Sequence, residues 1–213
     1  MLPRNDAHPE SLGDPLPAAW PAADPIRNRS PTLMEAANDE PVLGLEHGTV
    51  RLVPHTPRWA ELYREEEARL RAALDGLLID VQHFGSTSIP GIHAKPILDI
   101  LAGVRRMDDV FERRPQLQAL GYGYVPGAGV PGHHVFGKGR PRTHLLHVVE
   151  HGDRNWTENL WFRDRLRADP ALAAEYDALK LRLARAHPGD RPRYTEEKGA
   201  FVQRIRQSAP PHG

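Results

Sequence analysis

The sequence predicts an α+β domain in which strands fill the middle of the chain and helices its last third. Three observations carry this expectation. Apolar runs of strand length lie between Gly- and Pro-rich loops from residue 77 to residue 149, helix-length periodic segments follow from residue 155, and the first 45 residues show no apolar period. Eight of the 21 prolines fall in those first 45 residues, among Asp, Asn, Ala and Ser. Such a stretch buries too little apolar surface to offset its ordering entropy, so residues 1–45 are expected to be a disordered Pro-rich extension ahead of a domain at 46–208. A partner-binding segment centred on Trp20 is the alternative reading of the extension.

Within the domain, Thr49 to Val53 reads as a short strand. Thr56-Pro57 then offers an N-cap followed by proline at the first helical position. The helix it opens runs to about Leu74, with Trp59, Leu62, Tyr63, Leu70, Ala73 and Leu74 on one face and Glu65, Glu66, Arg69 and Arg71 expected on a solvated one. Strands are expected at Leu77–Phe84 and Ile97–Val104, and a helix at Asp108–Leu120 that Pro115 interrupts. Tyr122–Val125, His133–Phe136 and Thr143–Val149 are further strand candidates. Helical periodicity marks Asn155–Ala168, Pro170–Ala186 and Thr195–Gln207.

Composition narrows the function. Lys+Arg and Asp+Glu both number 28, so no global charge recommends nucleic acid or an anionic membrane as partner. The absence of cysteine excludes disulfides, thiolate metal sites and a cysteine nucleophile. No apolar run approaches the roughly 20 residues that span a bilayer, and the N-terminus lacks a signal-peptide pattern, so a cytoplasmic location is expected.

Three segments carry candidate chemistry. Gly85-Ser86-Thr87-Ser88-Ile89-Pro90-Gly91 directly follows a strand; it is either an ordinary turn or a backbone-and-hydroxyl cradle for phosphate oxygens. Asp99 stands in Ile97-Leu98-Asp99-Ile100-Leu101, a run apolar on both faces, where an ionised carboxylate needs a partner. That partner is either a structural cation such as Lys95, or a divalent ion carrying a phosphate substrate. Around His144 and His147, strand alternation puts Arg142, His144, Leu146 and Val148 on one face and Thr143, Leu145, His147 and Val149 on the other. The two histidines therefore diverge, which disfavours a two-histidine metal site.

Residues 50–206 resemble the GrpB family of bacterial proteins, which is assigned to the nucleotidyltransferase superfamily. The resemblance rests on separated blocks in the same order: Leu52-Val53-Pro54 with Trp59, His83 to Gly91, Lys95-Pro96-Ile97-Leu98-Asp99-Ile100, Arg142-Thr143-His144 with His147-Val148-Val149, Phe162-Arg163-Asp164, and Tyr194-Thr195-Glu196-Glu197-Lys198. It is also similar to a module fused behind some dephospho-coenzyme A kinases, although no Gly-x-x-x-x-Gly-Lys-Ser/Thr phosphate loop is present. The resemblance implies a nucleotidyltransferase-like mixed β-sheet of about five strands with flanking helices and a helical C-terminal region. It further implies that Gly85, Ser86 and Thr87 contact phosphate, that Asp99 binds Mg2+, and that Lys95, Lys138, Arg142, Arg163 and Lys198 converge on a nucleoside triphosphate, with His144 or His147 as catalytic proton carrier. Two acids of the superfamily pattern are missing. Leu101 occupies the second position and no acid stands mid-strand beside His147, so magnesium would need water, phosphates, or Glu150 or Asp153. Transfer of a nucleotidyl group to a small acceptor is the leading expectation; a non-catalytic nucleotide-binding module and a metal-independent enzyme with a histidine base are the alternatives.

Overall fold

The computed structural model describes residues 42–128 and 132–209. Residues 1–41, and with them Trp20, lie outside the described part. Helix α1 spans Arg58–Ala73; strands follow at β1 Leu78–Phe84, β2 Leu98–Val104, β3 Tyr122–Tyr124, β4 His134–Lys138 and β5 His144–Glu150; a short helix α2, Arg114–Ala119, precedes β3, and α3 Arg154–Ala168, α4 Pro170–Ala186 and α5 Arg191–Arg206 complete the chain. The strands form one mixed sheet in the order β1-β2-β5-β4-β3, in which β2 and β5 are parallel and every other pair is antiparallel.

Alternation along the central strands gives the sheet two unlike faces. Ile100, Ala102 and Val104 of β2 pack with Leu146 and Val148 of β5 against Leu70 and Leu74, with Val110 and Leu117 closing the same core. On the other face Leu101 and Val149 pack on Trp156 of α3. The last three helices hold a second core, where Phe162, Leu166, Ala173, Tyr176 and Phe201 meet Ile89 and Ile92 of the segment after β1. Edge strand β1 has two carbonyls occupied by side chains: the Tyr63 hydroxyl donates to Val81 O at 2.9 Å and Arg163 Nη1 to His83 O at 3.0 Å. These contacts occupy groups that a strand edge otherwise offers to another chain.

Four local expectations change. Thr49–Val53 is not a strand: Val53 forms an isolated bridge with Ala94, while the Val50 amide bonds Pro188 O at 2.9 Å, so the segment divides its backbone bonds between two partners. The expected helix at 108–120 is a 3-10 turn over Met107–Arg113 followed by α2, because Pro115 has no amide to donate and is accommodated in a first helical turn. Helix α5 begins four residues before Thr195, with Asp190 accepting the Arg193 amide at 3.0 Å. Glu66 is not on the solvated face of α1. Its side chain is 1% exposed and meets Lys138 Nζ at 2.7 Å and Arg69 Nη1 at 3.0 Å. Packing onto the domain also starts ahead of residue 46, since Leu45 is buried and exchanges backbone bonds with Arg142.

Buried histidines give the fold an acid limit. Burial pulls the imidazole of His83 down to about 3, and those of His133 and His144 to about 4. The unfolded chain takes protons on these rings from about pH 6.5 downward, so it binds more protons than the folded chain between there and roughly pH 4. Stability is expected to be complete above that window and to fall within it. Urea unfolding followed from pH 8 to about pH 4 should show the midpoint declining below pH 6.5; a flat midpoint to pH 5 would contradict neutral burial of these rings.

Candidate functional site

The site lies where β2 emerges from the 85–97 segment and α5 passes over it. The register pairs Phe84 with Asp99, and Asp99 with Leu145. This places Asp99, Leu101, Leu145 and His147 on the face opposite α1. Asp99 keeps 30% of its side chain exposed, and His147 Nε2 lies 3.8 Å from its Oδ1. Among the basic side chains of the described residues, that imidazole, and not Lys95, comes within 4 Å of the carboxylate. Burial raises the Asp99 carboxyl, but His147 and the charges of Lys95 and Lys198 outweigh it and leave the group below its ordinary range.

Gly85 is required by this arrangement. Its φ of +69° suits glycine, and a Cβ there would lie 2.9 Å from Asp99 Cβ. The turn thus lies directly against the carboxylate. Ser86, next in the chain, is partly exposed. Thr87 is buried and its hydroxyl bonds His83 Nε2 at 3.0 Å, so it faces inward rather than toward a ligand.

The cations divide between two faces. Lys95 and Lys198 both lie over the Tyr194 ring, at 5.1 and 5.6 Å from its centre. Burial lowers the Arg142 guanidinium, as do the neighbouring charges of Arg191 and Arg140. Arg142 covers Gly137, where a Cβ would lie 2.9 Å from Nη2, and Gly137 pairs with Leu145 beside Asp99. Lys95, Lys198, Arg191 and Arg142 therefore border the Asp99 face; Arg142 departs from the alternation expected to place it with His144, because β5 begins only at His144 and Arg142 lies in the loop before it.

Besides Thr87, three expected site residues stand elsewhere. His144 projects to the α1 face, where its Nδ1 contacts Thr143 Oγ1 at 2.8 Å, as strand alternation requires. Lys138 occupies the same face, paired with Glu66. Arg163 is spent on structure: it bonds Gln82 Oε1 at 2.9 Å, His83 O at 3.0 Å and the Asp164 carboxylate at 2.7 Å. His133, Arg191 and Tyr194 enter instead. His133 Nδ1 lies 3.5 Å from His147 Nδ1, extending the line from Asp99 through His147. Arg191 and Lys198 are seven residues apart with Tyr194 between them, a spacing that shares one helical face once α5 starts at residue 191.

This donor set does not fit a magnesium ion held by the protein. Asp99 is one carboxylate, Leu101 is fully buried, and among the described residues no group of three His, Asp or Glu side chains is arranged to hold a metal. Glu150 lies five residues along β5 from Leu145, roughly 16 Å at strand rise, and Asp153 caps α3 by accepting the Trp156 amide at 2.7 Å.

Comparison with known proteins gives one consistent result. The family model described as GrpB protein matches residues 49–208. The glutamate-rich protein GrpB of Alkalihalophilus pseudofirmus is 40% identical over 170 residues, which are 77% of this chain and 98% of that protein. The crystal structure of the conserved protein GrpB from Enterococcus faecalis superposes with a TM-score of 0.69 at 34% identity, covering 74% of this chain and 95% of that one. A dephospho-CoA kinase of Mycobacterium tuberculosis is 28% identical over 174 residues, 70% of this chain but 43% of the kinase. Among the described residues, no helix is long and apolar enough to cross a membrane.

Proposed function

This chain belongs to the GrpB family, and on that basis we propose that its Asp99 face binds a nucleoside triphosphate and transfers part of it to a small acceptor. One observation supports the reading above the others: Lys95, Lys198, Arg191 and Arg142 gather around a face whose own acid is a single, partly exposed carboxylate. Repelling cations persist together where a polyanion compensates them, and a triphosphate supplies that charge. The Ser86 hydroxyl donates to a phosphate oxygen, Lys198, Arg191 and Arg142 stabilise charge developing on the pyrophosphate, and Asp99 takes the proton of the attacking group. His147, beside Asp99, steadies the carboxylate. No step is assigned to a metal.

A second reading is favoured by the buried Leu101: a binding module of the same ligand class without turnover. Pyrophosphate release from each of the four nucleoside triphosphates, with candidate acceptors present, separates the two. Release is the expected result; tight binding with no release supports the module.

A further inference from the structure

Lys95 is held more firmly than a loop lysine needs to be. The Ala94 and Val53 backbones exchange two bonds of 2.9 Å, and the Leu98 amide bonds Thr143 O at 2.9 Å. Asp177 accepts both the His93 amide at 2.7 Å and its ring Nδ1 at 2.8 Å, while the buried Lys180 ammonium donates to His93 O. An extended segment anchored on both sides thus presents Lys95 at one position over Tyr194.

Its surroundings disfavour a charge there. Lys198 and Arg191 of α5 and Lys180 of α4 are the cations that face it, and Asp99 of β2 is the anion that reaches it, although no carboxylate forms an ion pair with it among the described residues. Tyr194 offers one ring to two ammonium groups. Burial and the three cations, partly offset by Asp99, bring the amine down to about 7. A desolvated lysine beside other cations has an available lone pair near neutral pH, which is the condition for a nucleophilic amine.

We propose that Lys95 is a nucleophile that carries the nucleotidyl group covalently, an inference resting on the nucleotide reading of the Asp99 face. The Nζ lone pair forms a bond to the α-phosphorus as the bond from that phosphorus to the bridging oxygen breaks. Pyrophosphate leaves with the electron pair, and the proton lost from Nζ passes to Asp99. A lysyl phosphoramidate results, from which the acceptor displaces Nζ in a second step that returns the proton.

The test uses the full chain with each α-phosphate-labelled nucleoside triphosphate, read by peptide mass spectrometry, with binding followed by calorimetry. Lys95→Arg keeps a cation that does not deprotonate. Wild type should carry an acid-labile adduct on Lys95, and Lys95→Arg should bind nucleotide yet lose the adduct completely. Competitive acetylation across pH should show Lys95 half-reactive near pH 7, against roughly 10.4 for an ordinary lysine. Nucleotide binding without an adduct on Lys95, or an ordinary midpoint for its acetylation, overturns the covalent role and leaves the proposed function standing. Failure of every nucleotide to bind overturns both.

Discussion

Replacing Glu66 by Gln should destabilise the protein by about 3 kcal/mol, the lower part of the range for breaking a buried ion pair. Glu66 is 1% exposed and holds Lys138 at 2.7 Å, while the Lys138 side chain keeps 22% exposure and recovers some hydration when unpaired. The carboxylate also lies beside the buried Tyr122 hydroxyl, whose ionisation it opposes. In a domain of this size the loss corresponds to roughly 6–12 °C in Tm. Burial pushes the Glu66 carboxyl up, but its bonds to Lys138 and Arg69 leave it below the usual range. Its contribution is therefore present above the unfolded-state value and is lost as pH falls through the folded one. Thermal unfolding of Glu66→Gln measures this directly; a shift under about 2 °C at neutral pH would show that the pair is not holding α1 to the sheet.

Replacing Asp99 by Asn should leave the fold nearly unchanged and reduce turnover by roughly 10²–10⁴-fold, the range for removing a positioned proton acceptor. Among the described residues Asp99 has no Lys or Arg ion-pair partner that the change would strand, and its contact with His147 is 3.8 Å, beyond a good hydrogen bond. The carboxylate faces the cations proposed above to bind the phosphates, so nucleotide affinity without added metal should hold or tighten when its charge is removed. Unfolding and nucleotide titration of the same variant separate the possible roles. A strongly destabilised Asp99→Asn variant with normal turnover would make the carboxylate structural, and loss of magnesium-dependent affinity alone would make it a metal ligand.

Much of the site is legible in the sequence because strand alternation is strict. Placing residues 145 and 147 on one face and 144 and 146 on the other suffices to separate His147 from His144, and the register with β2 then sets His147 on the Asp99 side. Alternation does not tell which face a helix covers, so the family resemblance groups Lys138 and His144 with a face from which the sheet separates them. Glu66 carries a signal that residue type obscures: it stands four residues from both Leu62 and Leu70, on the apolar stripe, and reads as solvated only because it is an acid. Arg163 marks a deeper limit, since the Gln82 and His83 groups that consume its donors lie about eighty residues away in sequence. Beginning α5 at Thr195 divides the cationic face of that helix and leaves Arg191 outside it.

On the proposed function, the cations beside Asp99 form a binding site for a triphosphate. Calorimetric titration of the full chain with nucleoside triphosphates, repeated for Arg142→Ala and Lys198→Ala and at rising salt, tests it most directly. Binding that weakens about tenfold or more in each variant and declines with salt is the predicted result. No binding by wild type, or binding that both variants leave unchanged, would contradict it.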